Sequence, residues 1–73
     1  MVHPVKPGIY RHYKGHDYEV LGVALHTETE EPHVVYRALY GDYTLCIRPL
    51  NMFIEEIKKA DYAGPRFKQT KVF

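Results

Sequence analysis

Two tyrosine-rich segments, each closed by a glycine turn, constrain the fold of this 73-residue chain more than any other feature. The first covers residues 8–15 and the second residues 34–42. Both are built from residue types that favour strands, and both end in turn chemistry. Six of the seven tyrosines lie in these segments or in the strands expected to pair with them, namely Tyr10, Tyr13, Tyr18, Tyr36, Tyr40 and Tyr43. The sequence therefore predicts a small β-fold with an aromatic, hydroxyl-bearing surface.

Alternation of side chains locates the first four strands. The pattern predicts strands at residues 9–14, 18–26, 33–40 and 43–48. Gly41 and Asp42 separate the third strand from the fourth, a spacing that predicts an antiparallel hairpin with a tight turn of the primed type. Gly22 lies in a strand that is apolar on both faces, so we expect a bend or bulge there. The acidic residues 27–32 end in proline and are predicted to form an exposed loop.

The last third of the chain changes its periodicity. Pro49 ends the fourth strand, and the apolar residues that follow it recur at the spacing of one helical face, namely Leu50, Phe53, Ile54 and Ile57. One or two helical turns are predicted. Residues 61–65 break the pattern, and residues 66–70 are predicted to form a short edge strand whose lysines discourage association between edges. Residues 71–73 either fray or dock.

The order of these elements predicts a fold class. Four strands, a short helical turn and a fifth strand are the order of a small SH3-like barrel of about five strands. The alternative is an open four-stranded antiparallel sheet with one short helix packed across it. A chain of this length has room for a single domain, which we place at residues 1–73, with an extended arm at residues 1–7 and the barrel at residues 8–70.

Composition narrows the classes of function. With 45% hydrophobic and 26% charged residues, the chain is not a disordered polymer. A net charge of +1 is not the strongly basic charge that nucleic-acid-binding domains usually carry, although it allows a local basic patch. The longest uncharged stretch has eight residues, whereas a membrane span needs roughly 20, so no membrane partner is expected. Cys46 is the only cysteine, which favours a reducing cytoplasm.

The candidates for metal or covalent chemistry are sparse. His12 and His16 have a spacing that would align them on a helix, but they lie on a strand and in the turn after it. Cys46 would need a basic partner and an exposed setting to act as a nucleophile, and on a strand it is more typical of a core residue. An accessory enzyme that uses His12, His16 or Cys46 is therefore the second hypothesis, and no cofactor, metal site or catalytic residue is predicted.

The leading hypothesis is a binding module that uses arginine and tyrosine side chains. Planar guanidinium groups and tyrosines are enriched at binding hot spots. The predicted ligand-binding residues are Tyr10, Arg11, Tyr13, Tyr36, Arg37, Tyr40 and Arg48. On one shared face they would make a groove for a protein segment or for nucleic acid, and the sequence leaves that choice open. The competing interpretation has the tyrosines filling the core and the arginines pairing with Asp17, Glu19 or Asp42 at the rim.

Association with a second copy is a further expectation for so short a chain. If the predicted helix does not seal the barrel, Leu50, Phe53 and Ile57 would leave an exposed apolar patch that a homodimer could cover.

Four runs of the sequence carry a resemblance to a known family. They are YRHYKG (residues 10–15), YEVLGVALHTETEE (18–31), VVYRALYGDY (34–43) and RPLNMF (48–53). Together they resemble a small, uncharacterised bacterial family of single-domain proteins that is classed as a domain of unknown function. The resemblance covers most of the chain. It implies a bacterial, cytoplasmic protein without an assigned active site.

Overall fold

Short alternating segments separated by turns form seven strands and one helix in the computed structural model, which describes residues 5–73. The elements are β1 (Gly8–His12), β2 (Asp17–Leu25), β3 (Pro32–Ala38), β4 (Leu45–Pro49), α1 (Leu50–Phe53), β5 (Glu56–Lys59), β6 (Tyr62–Pro65) and β7 (Phe67–Val72). Most of the predicted N-terminal arm, residues 1–4, lies outside the described residues, and Val5 is buried in the core. With four residues, α1 is the only helix in this part of the chain, which therefore has no helix of the length and apolar character needed to cross a membrane.

The strands form two antiparallel sheets. The main sheet has the order β4-β3-β2-β1-β7, and β5 pairs with β6 in a separate hairpin. Within residues 5–73 the main sheet does not close, because β4 and β7 remain its two edges and the strand that follows α1 pairs with β6 instead. The predicted SH3-like barrel is therefore not formed. The open antiparallel sheet with one short helix fits, with five strands in place of four.

The two faces of the main sheet differ in what covers them. The inner face carries Tyr10, Val20 and Tyr36, which are buried. The outer face carries alternate residues, among them Arg11 on β1 and Ile47 on β4, and both are exposed. The predicted irregularity at Gly22 is confirmed, because the register between β2 and β3 shifts between Val20 and Gly22. Such a bulge lets the sheet bend around its core while the pairing continues on both sides.

The predicted turn between the third and fourth strands lies in a longer loop. The two strands are antiparallel neighbours, as predicted. Tyr43 N–H donates to Tyr40 C=O across Gly41, which has a φ of 60°. Tyr43 also has a positive φ of 55°, so the ladder ends earlier than a two-residue turn requires.

The helical prediction for residues 50–57 is correct for its first turn only. After α1 the chain becomes extended, and Ile57 lies on β5 opposite Gly64 on β6. Phe53 and Ile57 are 1% and 7% exposed, so both apolar positions are buried although one is helical and the other is in a strand. The hairpin β5–β6 was not predicted. The dimerisation patch expected on this segment does not form, because Phe53 and Ile57 are covered within the monomer.

An aromatic cluster fills the space under the inner face. Phe53 of α1 stacks on Phe67 of β7, with ring centroids 4.1 Å apart and planes 6° from parallel. Tyr10 and Tyr36 meet Phe53 edge-on at 5.6 and 5.5 Å. Tyr18 meets Phe67 in the same way at 5.5 Å. Aromatic rings bury large apolar areas and gain further from edge-to-face contacts, so this cluster supplies most of the packing of a small core.

We predict that Phe53→Ala lowers the free energy of unfolding by about 3–5 kcal/mol, since it removes a buried ring from both a stack and two edge contacts. Urea denaturation followed by tyrosine fluorescence measures the loss. Ile54→Ala is the matched control, because Ile54 is the next residue and is 48% exposed; it should cost less than about 1 kcal/mol. Equal losses for the two variants would contradict the central role of the stack.

Candidate functional site

The tyrosines predicted to share a binding surface do not lie together. Tyr10 and Tyr36 are 6% and 5% exposed and belong to the core. Their hydroxyls are satisfied internally: Tyr10 donates to the Lys6 carbonyl at 2.8 Å, and Tyr36 accepts from Arg48 Nε at 3.3 Å. Buried tyrosines normally require such partners. These two rings therefore pack the fold, as the competing interpretation of the sequence expected.

The three arginines do not share one face of the main sheet. Arg11 is on the outer face and pairs with Asp17 at 3.3 Å. Arg37 is also on the outer face and donates to the Tyr43 carbonyl at 3.0 Å. Arg48 is on the inner face, with its guanidinium 5.8 Å from the centre of the Phe67 ring. A groove lined by all three arginines is therefore absent from residues 5–73.

Tyr40 lies at the exposed end of the aromatic cluster, near the turn between β1 and β2, and meets Tyr18 edge-on at 5.7 Å. Its ring stacks on His16 at 4.1 Å, and its hydroxyl lies 2.9 Å from the Tyr18 hydroxyl. Burial of Tyr18, followed by this hydrogen bond, raises the pKa of the Tyr18 phenol well above its ordinary value. The Tyr18 hydroxyl therefore remains protonated at neutral pH, and its hydrogen bond with Tyr40 links β2 to the loop after β3.

Two of the predicted residues, Arg11 and Tyr13, do come together. They line a cavity of about 340 Å³ between the end of β1, strand β7 and the β5–β6 hairpin. We call this cavity the end pocket, and its lining residues are Arg11, His12, Tyr13, Gly15, Tyr62, Lys68 and Thr70. Its volume lies in the range of small-molecule sites.

A pair of stacked tyrosines forms one wall of the end pocket. The rings of Tyr13 and Tyr62 lie 5.2 Å apart with planes 22° from parallel. Tyr62 is fixed by a 2.7 Å hydrogen bond from its hydroxyl to the Pro65 carbonyl. Gly64 makes room for it, because a Cβ at that position would lie 3.0 Å from the Tyr62 hydroxyl oxygen. The backbone N–H of Tyr13 donates to the Arg66 carbonyl at 3.0 Å, so the main sheet and the hairpin are joined at this wall.

Lysines surround the stacked pair. Lys59 Nζ donates to the Tyr13 hydroxyl at 3.0 Å and lies 5.3 Å from the centre of its ring. Lys14 Nζ lies 5.9 Å from the same ring. The hydrogen bond from Lys59 is the main reason that the pKa of the Tyr13 phenol is lowered. Cations above an aromatic ring are attracted by its electron-rich face, so the stack helps to hold positive charge at the pocket.

The end pocket is locally basic although the chain is nearly neutral. Arg11 pairs with Asp17, and Arg66 pairs with Glu55 at 3.8 Å. Within residues 5–73, no carboxylate lies within 4 Å of the ammonium groups of Lys68, which lines the pocket, or of Lys14 and Lys59, which lie at the Tyr13 ring. The charges of those lysines are therefore free to attract an anion.

His12 lies at the inner side of the pocket and is held as a neutral imidazole. Its Nδ1 accepts a hydrogen bond from the Lys14 backbone N–H at 3.1 Å, and its ring meets Phe67 edge-on at 4.9 Å. Partial burial is the largest cause that lowers the pKa of His12, followed by the positive charges of Arg66 and Arg48. A histidine in this state offers an acceptor to the backbone and carries no positive charge at neutral pH.

The residues of the second hypothesis do not assemble into a site. The His12 ring packs on Phe67, whereas the His16 ring stacks on Tyr40. Cys46 is half-buried on the inner face, and its thiol contacts the Thr44 carbonyl at 3.6 Å. Among the residues that the structure describes, no group of three or more His, Cys, Asp or Glu side chains is placed to hold a metal ion.

The lining residues Tyr62 and Lys68 were not predicted, and neither was Lys59, which contacts Tyr13 beside the pocket. Tyr62 is the seventh tyrosine, and it lies in the segment where the pattern of alternation breaks. The composition of this segment could have indicated a binding residue, since the segment combines an aromatic residue with glycine and nearby lysines. Only the pairing of β5 with β6 shows that Lys59 and Tyr62 are directly opposite each other.

Comparison with known proteins shows the family. The model of the family described as "Protein of unknown function (DUF1653)" matches residues 8–69. The chain belongs to the DUF1653 family. A crystal structure of a DUF1653 protein from Bordetella bronchiseptica is 36% identical to this chain, with a TM-score of 0.86 over 96% of this chain and 92% of that one. No curated protein matches the chain. The resemblance seen in the sequence is thus confirmed, and the DUF1653 family has no named function to transfer.

We predict that acid weakens this DUF1653 fold through His12. Because the pKa of His12 is lower in the folded state than its ordinary value of 6.5, the unfolded chain binds the proton more tightly. The contribution of neutral His12 to the free energy of unfolding is therefore fully present above about pH 6.5. It is lost as the pH falls from there through the lower pKa of His12 in the folded state. His12→Asn keeps an acceptor for Lys14 N–H but does not titrate, so its urea midpoint should fall less between pH 7.5 and pH 5 than that of the parent.

An NMR titration of the His12 ring protons gives an independent check. A midpoint below 6.5 is expected, because burial and the nearby arginines disfavour the charged ring. A midpoint at or above 6.5 would contradict the prediction.

Proposed function

We propose that this protein is a non-enzymatic binding module whose end pocket binds single-stranded nucleic acid. The observation that carries the proposal is that Lys14 and Lys59 lie at the ring of Tyr13, which stacks on Tyr62, while Lys68 lines the same pocket. None of the three lysines is paired with a described carboxylate. Phosphates supply the charge that lysines attract, and bases supply planar rings that pack against tyrosines.

The types of basic residue favour phosphate over carboxylate. Arginine is the side chain best suited to hold a carboxylate with two parallel hydrogen bonds. Here Arg11 and Arg66 already face Asp17 and Glu55. The side chains that remain are lysines, which bind phosphate as point charges and require no fixed orientation. An acidic protein segment is therefore the less favoured ligand.

Among the described residues that line the pocket, none belongs to a helix or strand placed to read base edges. The lining side chains are cations, aromatic rings and one aliphatic hydroxyl, that of Thr70, which donates to the Ile9 carbonyl at 3.3 Å. Such side chains attract the phosphate backbone of a nucleic acid and stack on any base. The proposed binding is therefore largely independent of the nucleotide sequence. The proposal places this activity in the bacterial cytoplasm, with support from the source of the Bordetella relative and from the free thiol of Cys46.

Binding to the end pocket can be tested by fluorescence anisotropy with labelled oligo(dT) and oligo(rU) of equal length. Tyr13→Ala should weaken binding about 5- to 150-fold, which corresponds to the 1–3 kcal/mol of one stacked base. Tyr43→Ala is the matched control, because Tyr43 is 56% exposed and lies in the loop after β3. Equal affinities for the parent and Tyr13→Ala would contradict the role of the pocket.

The dependence on salt separates phosphate contacts from other interactions. Three lysine contacts predict a slope of about −2 for the logarithm of the association constant against the logarithm of salt concentration. Lys59→Gln should reduce the size of the slope by about 0.7, whereas Lys58→Gln should leave it unchanged, since neighbouring residues of a strand point to opposite sides. If poly-glutamate displaces the probe as well as unlabelled oligo(dT) does, an acidic protein segment is the ligand and the proposal fails.

A further inference from the structure

The two edges of the main sheet differ in their protection against pairing with another strand. On β7 the edge carries Lys68 and Lys71, and its register with β1 is interrupted by a bulge. Lysines and bulges are devices by which proteins keep edges from associating. On β4 the run Leu45, Cys46 and Ile47 carries no charge, and its register with β3 is continuous. Only the β4 edge is therefore open to strand pairing.

The backbone of β4 presents its free hydrogen-bonding groups in a defined pattern. Ala38 N–H on β3 donates to the Thr44 carbonyl, so these two residues form a hydrogen-bonded pair. Pairs alternate along an antiparallel ladder, and Tyr36 with Cys46 is the next hydrogen-bonded pair. The N–H and C=O groups of Leu45 and Ile47 consequently point away from β3, toward the open side of the edge.

We propose that β4 pairs antiparallel with β4 of a second copy of this chain, with Cys46 on the two-fold axis. In this register Leu45 faces Ile47 of the second copy, and each of the two pairs exchanges two backbone hydrogen bonds. The side chains of Leu45 and Ile47, 51% and 64% exposed in the monomer, become neighbours on the outer face. Cross-strand apolar pairs of this kind stabilise sheets.

The sequence around β4 selects this register and this partner. A pairing centred on Ile47 would place Pro49, which has no N–H, opposite Leu45. A pairing centred on Leu45 would bring Tyr43, with its φ of 55°, opposite Ile47, where the backbone is not extended. The same two-fold operation on β7 would bring lysines together, whereas the β4 edge meets itself without like charges. The uncharged β4 edge is thus complementary to its own copy.

The size of the contact sets the expected strength. One strand from each copy buries less than roughly 1,200 Å² in total, the range of weak and transient complexes. The dimer should therefore form and dissociate with protein concentration. Because the end pocket lies beyond β1, at the far side of the sheet from β4, this proposal and the proposed nucleic-acid binding are tested independently.

Sedimentation velocity over a series of protein concentrations tests the pairing. The parent should shift from monomer to dimer as concentration rises, and Ile47→Lys should weaken dimerisation at least about tenfold, because it places a charge on the edge. Val72→Lys is the matched control: Val72 is 63% exposed on the other edge strand, and this variant should dimerise like the parent. A parent that stays monomeric, or a dimer that survives Ile47→Lys, would overturn the proposal.

Cross-linking through Cys46 tests the register. In a non-hydrogen-bonded pair the Cα atoms are about 4.5 Å apart, which allows a disulfide. With copper phenanthroline as the oxidant, two thiols lose two protons and two electrons to it and become one disulfide. The parent should form a covalent dimer, whereas Thr44→Cys in a Cys46→Ser background should not, since position 44 faces position 48 of the second copy. The reverse result would overturn the proposed register.

Discussion

The stack of Phe53 on Phe67 is the contact on which the rest of this fold depends. These two phenylalanines bracket the β5–β6 hairpin in sequence, so their contact closes the segment that leads from one edge of the main sheet to the other. Tyr10, Tyr18 and Tyr36 surround the stack from three strands. The core is therefore built from segments next to both edge strands of the main sheet. This packing fixes the position at which the β5–β6 hairpin leaves the core. The end pocket exists because the hairpin emerges beside Tyr13.

Alternation in the sequence predicted the strands because each has one buried face, and it also predicted the bulge at Gly22. It could not predict that the sheet stays open, since closure depends on which strand the segment after α1 pairs with. The hairpin β5–β6 was missed because Leu50, Phe53 and Ile57 have the spacing of a helix, although only the first turn is helical. Phe53 and Ile57 can both be buried whether the chain between them is helical or extended. For residues of this kind, periodicity identifies what is buried but not the backbone that buries it.

The same limit applies to the site. Arg11 and Tyr13 were predicted from residue type as ligand-binding residues, and both line the end pocket. Tyr10 and Tyr36 were predicted in the same way, but they are buried. Alternation along a strand tells which residues share a face, but not which of the two faces another element covers. Lys59 and Tyr62 could be found only through space, because a hydrogen bond from β5 to the end of β1 joins residues far apart in the chain. Aromatic residues thus have two roles here, and the three-dimensional packing assigns them.

One wall of the end pocket, that of Tyr62, belongs to a structural unit with little stability of its own. A two-stranded hairpin is marginal in isolation. The β5–β6 hairpin is held to the end of β1 by the contacts of Tyr13 with Lys59 and Tyr62 and by its backbone bond to Arg66, the residue after β6. Local opening of such a unit costs less than global unfolding. Each opening separates Tyr62 and Lys59 from Tyr13 while the five-stranded sheet persists. Under the proposed function, the affinity of the pocket for its ligand would therefore include the free energy of closing the hairpin. Substitutions that loosen or tighten this closure would then alter the affinity without removing a contact to the ligand.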